Sequence, residues 1–268
     1  MQVWDKQFAE RTPMFVPLRP LTAAIEGTSW PTLDQLNAIA SDGSVVTGSG
    51  HPLRFSGLSR VSGAADYEQR IHDEGLVPLR RANWHDLFNA LVWLTFPLTK
   101  AALNRAHVEA LRDQSGTRRS RRRDALTLFD ESGVVVLSRN RAALDGMRGF
   151  EWKRGFWDER DTLLATTRIM IFGHGLYEKA LSPYVGMTGH ALLLETPDDA
   201  DSPESAALIG WADALVANVL RARISQPRDL SPLPVLGVPG WWDANGEASF
   251  YDNASYFRAG RRSNNGTA

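Results

Sequence analysis

Apolar residues recur along this chain in short blocks of two different periods, and the period changes where proline, glycine or asparagine intervenes. The longest apolar block, Leu87 to Leu98, is interrupted by Asn89. Asn83 is placed to cap a helix from Trp84 to about Phe96, and Pro97 to open a second helix reaching about Arg112. A connection this short makes the two antiparallel neighbours, so a helical hairpin is expected at the centre of the chain. The clearest amphipathic helix is Ser205 to Arg223, with Leu208, Trp211, Leu215, Val219 and Ala222 along one stripe. Shorter helices are expected over Thr32 to Ala40, Arg139 to Arg148, Asp158 to Thr166 and Leu176 to Leu181.

Alternating and β-branched stretches predict two β-hairpins. One pairs Val45 to Thr47 with Leu53 to Phe55 around Gly48-Ser49-Gly50; the other pairs Ala125 to Phe129 with Val134 to Leu137 around Asp130-Glu131-Ser132-Gly133. Tyr67 to Ile71 and Leu76 to Leu79 read as short ordered pieces either side of Gly75, and Gln114 to Arg123 as a basic loop. Arg168 to Phe172 and Ala191 to Leu194 read as strands, Thr196 to Pro203 as an acidic loop. From Pro227 the chain is rich in proline, glycine and aromatics, as an extended strap would be. The fold class is α+β, with a central helical hairpin, short β-hairpins and that strap. Residues 1–43 form an N-terminal arm, 44–226 a single α+β domain, 227–260 a tail packed on it and 261–268 a disordered end.

Composition narrows the functional classes. With 43% apolar and 23% charged residues the chain is of ordinary globular type. A formal charge of −1 excludes a general polycation, so any contact with nucleic acid must come from a local patch. Arg118, Arg119, Arg121, Arg122 and Arg123 make the one dense basic run. Their forked guanidinium groups suit a phosphate backbone, so RNA is a candidate partner; the bland alternative pairs them with nearby acids in a solvated loop. The absence of cysteine excludes disulfides, thiolate zinc, iron–sulfur clusters and thiol nucleophiles. The first twenty residues mix charge and proline unlike a secretory signal, and the longest apolar block falls short of the ~20 residues that span a bilayer. A cytoplasmic location is therefore expected.

Candidate chemistry gathers on the central hairpin. His85 and Asn89 share a helical face, as do Lys100, Asn104 and His107 on the next helix, and the two stripes are placed to face each other. Such groups must bond something, because burying each unpaired costs roughly 2–7 kcal/mol. A polar network that merely fixes the fold is one reading; a site wall is the other. His174 stands between two glycines at a strand-to-helix switch, four residues before Glu178. His85, His107, His174 and Glu178, with Asp130 in reserve, make a histidine–carboxylate set that suits zinc, manganese or iron. Asp86 or Asp130 is placed as a general base, and Lys100 and Arg123 as the charges that neutralise a developing anion. Asn89, Asn104, Asp124 and Glu131 complete the candidate site.

Several of these positions fall in a wider pattern. It comprises Trp84-His85-Asp86-Leu87-Phe88-Asn89, Phe96-Pro97 with Lys100, Arg123-Asp124-Ala125-Leu126-Thr127, Phe129-Asp130-Glu131, and Gly173-His174 with Glu178. It continues in Pro234-Val235-Leu236-Gly237-Val238-Pro239-Gly240-Trp241 and Phe250-Tyr251-Asp252. In these segments the chain resembles an uncharacterised bacterial family, domain of unknown function 3025. The resemblance spans roughly Asn83 to Arg258 and carries no activity with it.

The expectation is thus a metal-assisted hydrolase, with a phosphate-containing or nucleotide small molecule as substrate. A non-catalytic RNA- or nucleotide-binding accessory protein and a structural or interaction protein are the alternatives.

Overall fold

The computed structural model describes residues 3–41, 45–57, 63–113, 120–197 and 205–260. Its helices are α1 (Arg19–Ala24), α2 (Leu33–Ala40), α3 (Ala64–Glu74), α4 (Trp84–Thr95), α5 (Pro97–Arg112), α6 (Arg121–Ser132), α7 (Arg141–Arg148), α8 (Arg160–Thr166), α9 (His174–Ala180) and α10 (Ser205–Arg223). The strands are β1 (Arg54–Ser56), β2 (Leu76–Pro78), β3 (Gly133–Ser138), β4 (Thr167–Ile171), β5 (Thr188–Glu195) and β6 (Ser231–Pro234). The class is α+β, as the periodicities predict.

Local signals set the helix ends. Thr32 and Gln35 form a reciprocal capping box on α2, and Asn83 accepts from the Asp86 N–H at the start of α4. Pro97 opens α5, where its missing N–H costs nothing. The hairpin α4–α5 is buried along most of α4 and packs against α3, α9 and α10.

Two predicted hairpins change form. Around Gly48 to Gly50 the chain does turn back, with an antiparallel bridge between Val46 and Pro52. The strand that follows, β1, instead runs parallel to β2, with Arg54 opposite Leu76. The second correction matters more: Ala125 to Phe129 is helix, not strand. Ser120 caps α6, arginines and Asp124 fill its first turn, and Ala125, Leu126, Phe129 and Ser132 bury one stripe. The helix therefore extends into the predicted loop, of which residues 114–119 lie outside the described residues. Asp130 and Glu131 belong to its last turn rather than to a β-turn.

The main sheet has the order β4-β3-β5-β6, antiparallel except for the parallel β3–β5 pair. Its outer strand β6 comes from the strap, whose prolines Pro232 and Pro234 suit a sheet edge because they donate no ladder bonds. The acidic loop falls largely outside the described residues, as does the predicted disordered end 261–268.

In α10 the deepest positions are Ala212, Asp213, Val216 and Leu220, one residue beyond the predicted stripe. Asp213, 3% exposed, reaches across to the start of α5. Its two carboxylate oxygens accept the Leu98 and Thr99 N–H groups at 2.9 and 2.7 Å. A helix begun by proline has no capping side chain of its own here, so the cap is supplied by another helix. Asp213→Ala is expected to lower stability by about 1–3 kcal/mol. Asp213→Asn, which keeps one acceptor, should lose less; urea denaturation of the two variants checks both.

Candidate metal centre

The register of the main sheet builds the centre. β3 and β4 run antiparallel with Val134 opposite Ile171, so the end of α6 and the start of α9 meet at the same sheet edge. The Phe172 and Gly173 N–H groups both donate to the Gly133 carbonyl at 2.9 Å. The approach is so close that a Cβ on Gly173 would stand 2.5 Å from the Ser132 Cα, and one on Gly133 would collide with the Phe129 carbonyl. Only glycine fits at either place. Asp130 and Glu131 thereby come beside His174, and α4, packed on α9, brings His85 to the same point.

Three ligand-type atoms converge there. His174 Nε2 lies 3.1 Å from His85 Nε2 and 3.6 Å from Glu131 Oε1; His85 Nε2 lies 4.0 Å from the same oxygen. An ion holding ligands tetrahedrally at ~2.0–2.2 Å spaces them by roughly 3.3–3.6 Å, and the observed edges bracket that range. His174 is buried, whereas His85 and Glu131 are partly open to solvent, with side chains 33% and 46% exposed.

Behind the three atoms stands a shell of carboxylates. Glu178 Oε2 accepts from His85 Nδ1 at 2.9 Å. Asp130 Oδ1 lies 3.8 Å from His174 Nδ1 and 2.6 Å from Lys100 Nζ. Lys100, 4% exposed, also donates to Asn89 Oδ1 at 2.9 Å, and Asn89 Nδ2 donates to the Tyr67 hydroxyl at 2.7 Å. The two polar stripes read from the sequence do face each other.

Burial and charge fix the protonation states. Burial pushes the His174 ring down to about 4, against the pull of the Asp130 carboxylate, so the ring is neutral at pH 7. Burial raises Asp130, but Lys100 and then His174 outweigh it and leave the carboxyl below its usual range. Glu131 is raised, first by burial and then by the charge of Asp130, with His85 opposing.

The remaining predicted residues separate from this group. His107 and Asn104 line a void of about 10 Å³ on the far side of the Lys100–Asp130 pair. Asn104 donates to the Glu68 carbonyl and carboxylate, both at 2.9 Å. His107 is therefore not a member of the three-atom cluster, because the polar face of α5 divides between two compartments. Asp86 is gripped by Arg80 through the main-chain N–H and the guanidinium, at 2.7 to 2.9 Å, which occupies it as a base. Arg121, Arg122 and Arg123 start α6, and Arg122 pairs with Glu109 at 3.4 Å; Asp124 follows in the same turn. Arg118 and Arg119 lie outside the described residues. His190 meets Ser132 Oγ at 2.7 Å, away from the cluster's three ligand atoms. Glu131 gains its place from the last turn of α6, where composition alone predicts a β-turn.

A family model described as "Protein of unknown function (DUF3025)" matches residues 53–261, which include every member of the cluster. The chain belongs to the DUF3025 family. No curated protein and no solved structure matches it significantly. Among the described residues of this family member, no helix is long and apolar enough to cross a membrane.

The neutral His174 makes stability depend on pH. The unfolded ring takes up a proton near 6.5 and the folded one near 4, so the unfolded state binds more protons between those values. Stability therefore falls as pH drops through that window, by on the order of 2–3 kcal/mol in total. Urea denaturation at pH 7, 5.5 and 4.5 measures the slope, which His174→Gln should flatten.

Proposed function

We propose that this chain binds one divalent metal ion between His85 Nε2, His174 Nε2 and Glu131, and uses it for hydrolysis. The observation that carries the reading is the 3.1 Å approach of two imidazole nitrogens. Glu178 accepts from His85 Nδ1, which leaves the lone pair of a neutral His85 on Nε2. His174 is neutral and turns its own Nε2 to the same point. With either ring protonated on Nε2 this contact is an N–H···N hydrogen bond. With both nitrogens bare, the tautomers that the Asp130 and Glu178 carboxylates favour, a cation between them takes the place of that proton, and Glu131 adds an anionic oxygen on the third side.

Two histidines and one carboxylate form an open donor set that zinc, manganese and iron(II) accept, with coordination positions left for water. A bound ion of this kind acidifies its water and polarises the bond to be cleaved. Glu178, hydrogen-bonded to His85 Nδ1, would orient that ring and raise its basicity as a ligand. Lys179, on the next residue, acts electrostatically on Glu131 and puts a cation at the rim. With the ion offsetting the Glu131 carboxylate, Lys179 is the rim cation that would meet an anionic, phosphate-bearing substrate.

Metal-free protein titrated with zinc should take up one equivalent. His174→Ala and Glu131→Ala should weaken that binding at least 100-fold, whereas His107→Ala should leave it unchanged. Zinc-, manganese- and iron-loaded protein should then cleave a phosphomonoester such as p-nitrophenyl phosphate, and the chelated protein should not. A wild-type chain with no metal affinity tighter than about 100 µM would overturn the reading.

A further inference from the structure

Lys100 is a charged side chain 4% exposed in the middle of an apolar helical hairpin, and the three-atom cluster does not use it directly. A lone buried ammonium is costly, so its partners carry information. Its nitrogen has two oxygen partners, Asp130 Oδ1 at 2.6 Å and Asn89 Oδ1 at 2.9 Å, and it lies 5.2 Å from the centre of the Trp93 ring. Asn89 is fixed in turn by Tyr67, whose hydroxyl is buried. The lysine is thus clamped from three sides, and it clamps Asp130.

The same Asp130 oxygen faces His174. The ring's Nδ1 is buried with no side-chain hydrogen bond; the Asp130 carboxylate lies 3.8 Å away, and the Asp130 main-chain carbonyl also favours a proton on the ring. A proton on Nδ1 would face that anion, whereas a bare lone pair there would be repelled by it. The proton that a neutral His174 carries is thereby placed on Nδ1, and Nε2 is left bare toward Glu131 and His85, where in the metal-free chain it accepts an N–H from His85 Nε2 at 3.1 Å. On the opposite side Glu178 accepts from His85 Nδ1 at 2.9 Å and so fixes the orientation of that ring. Carboxylate partners of this kind fix both the tautomer and the orientation of metal-ligating histidines.

We infer that Lys100 is a positioning residue for the metal centre: by holding Asp130, it sets His174 in the tautomer that presents Nε2 as a ligand. This rests on the metal reading above only for its effect on affinity; the tautomer itself is a property of the metal-free chain. The Lys100–Asp130 pair is then the device that decides whether the third side of the cluster accepts a cation.

Long-range proton–nitrogen spectra of metal-free protein labelled with ¹⁵N-histidine test this directly, with the His174 signal assigned by its loss in His174→Gln. His174 is expected as the Nδ1–H form at neutral pH; an Nε2–H form overturns the inference. Lys100→Met, which leaves the buried Asp130 to move away or take up a proton that it then donates to Nδ1, should populate the Nε2–H form and weaken zinc binding about tenfold. If that variant does not fold, Lys100→Met/Asp130→Leu, which removes both charges together, carries the test. It should lose the tautomer preference and bind zinc 10–100-fold less tightly. Wild-type affinity and tautomer in a folded variant of either kind overturn the role of Lys100. A wild-type chain that has the Nδ1–H form and binds no zinc sinks the metal reading while leaving the tautomer lock standing.

Discussion

The contact of Gly173 with Gly133 and Ser132 is the constraint on which the rest of the centre depends. A sheet edge ordinarily keeps the ends of its strands apart by the bulk of their side chains. Here two bare backbones touch, and the Gly133 carbonyl accepts from two successive N–H groups. The last turn of α6 and the first turn of α9 are thereby held face to face. Glu131 and His174 extend from these two rigid helix ends and His85 from the first turn of α4, so little freedom remains for the cluster's side chains to lose on ordering.

Much of the architecture was legible because it depends on local chemistry. Asn83, Pro97 and Thr32 act within a few residues of where they stand, and α4, α5 and α2 begin where those residues predict. The run Asp130-Glu131-Ser132-Gly133 misled because its composition is that of a turn. The helix ending there is settled by Ser120 at its start and by tertiary burial of Leu126 and Phe129. The signal available was the helix-forming content of Arg121 to Leu126 together with the spacing of Ala125, Phe129 and Ser132.

The site was legible in its members more than in their roles. His85, His174, Glu178, Lys100, Asn89 and Asp130 all meet, as the facing polar stripes and the glycine-flanked histidine imply. Sequence spacing could not tell which nitrogen or oxygen each would present. Glu178 stands behind His85 rather than beside it, and Asp130 is spent on Lys100. His107 lines the void with Asn104 and stays outside the cluster, which Glu131 joins instead; Asp130 and Glu131, adjacent on α6, diverge by about 100° and meet different partners. Asp213 left a fainter trace, an acid on the inner face of α10, visible only once that face is known.

That borrowed cap has a reach beyond stability. Asp213 holds the N–H groups of Leu98 and Thr99, and the next residue is Lys100. The first turn of α5 is therefore tethered at one end to a helix more than a hundred residues later in the chain, while its next side chain clamps Asp130 from within. Any displacement of α10 would be transmitted through a single peptide unit to the buried ammonium of Lys100. The two halves of the fold are in this way joined mechanically at the lysine, and α10, which contributes no atom to the cluster, is part of what keeps it in shape.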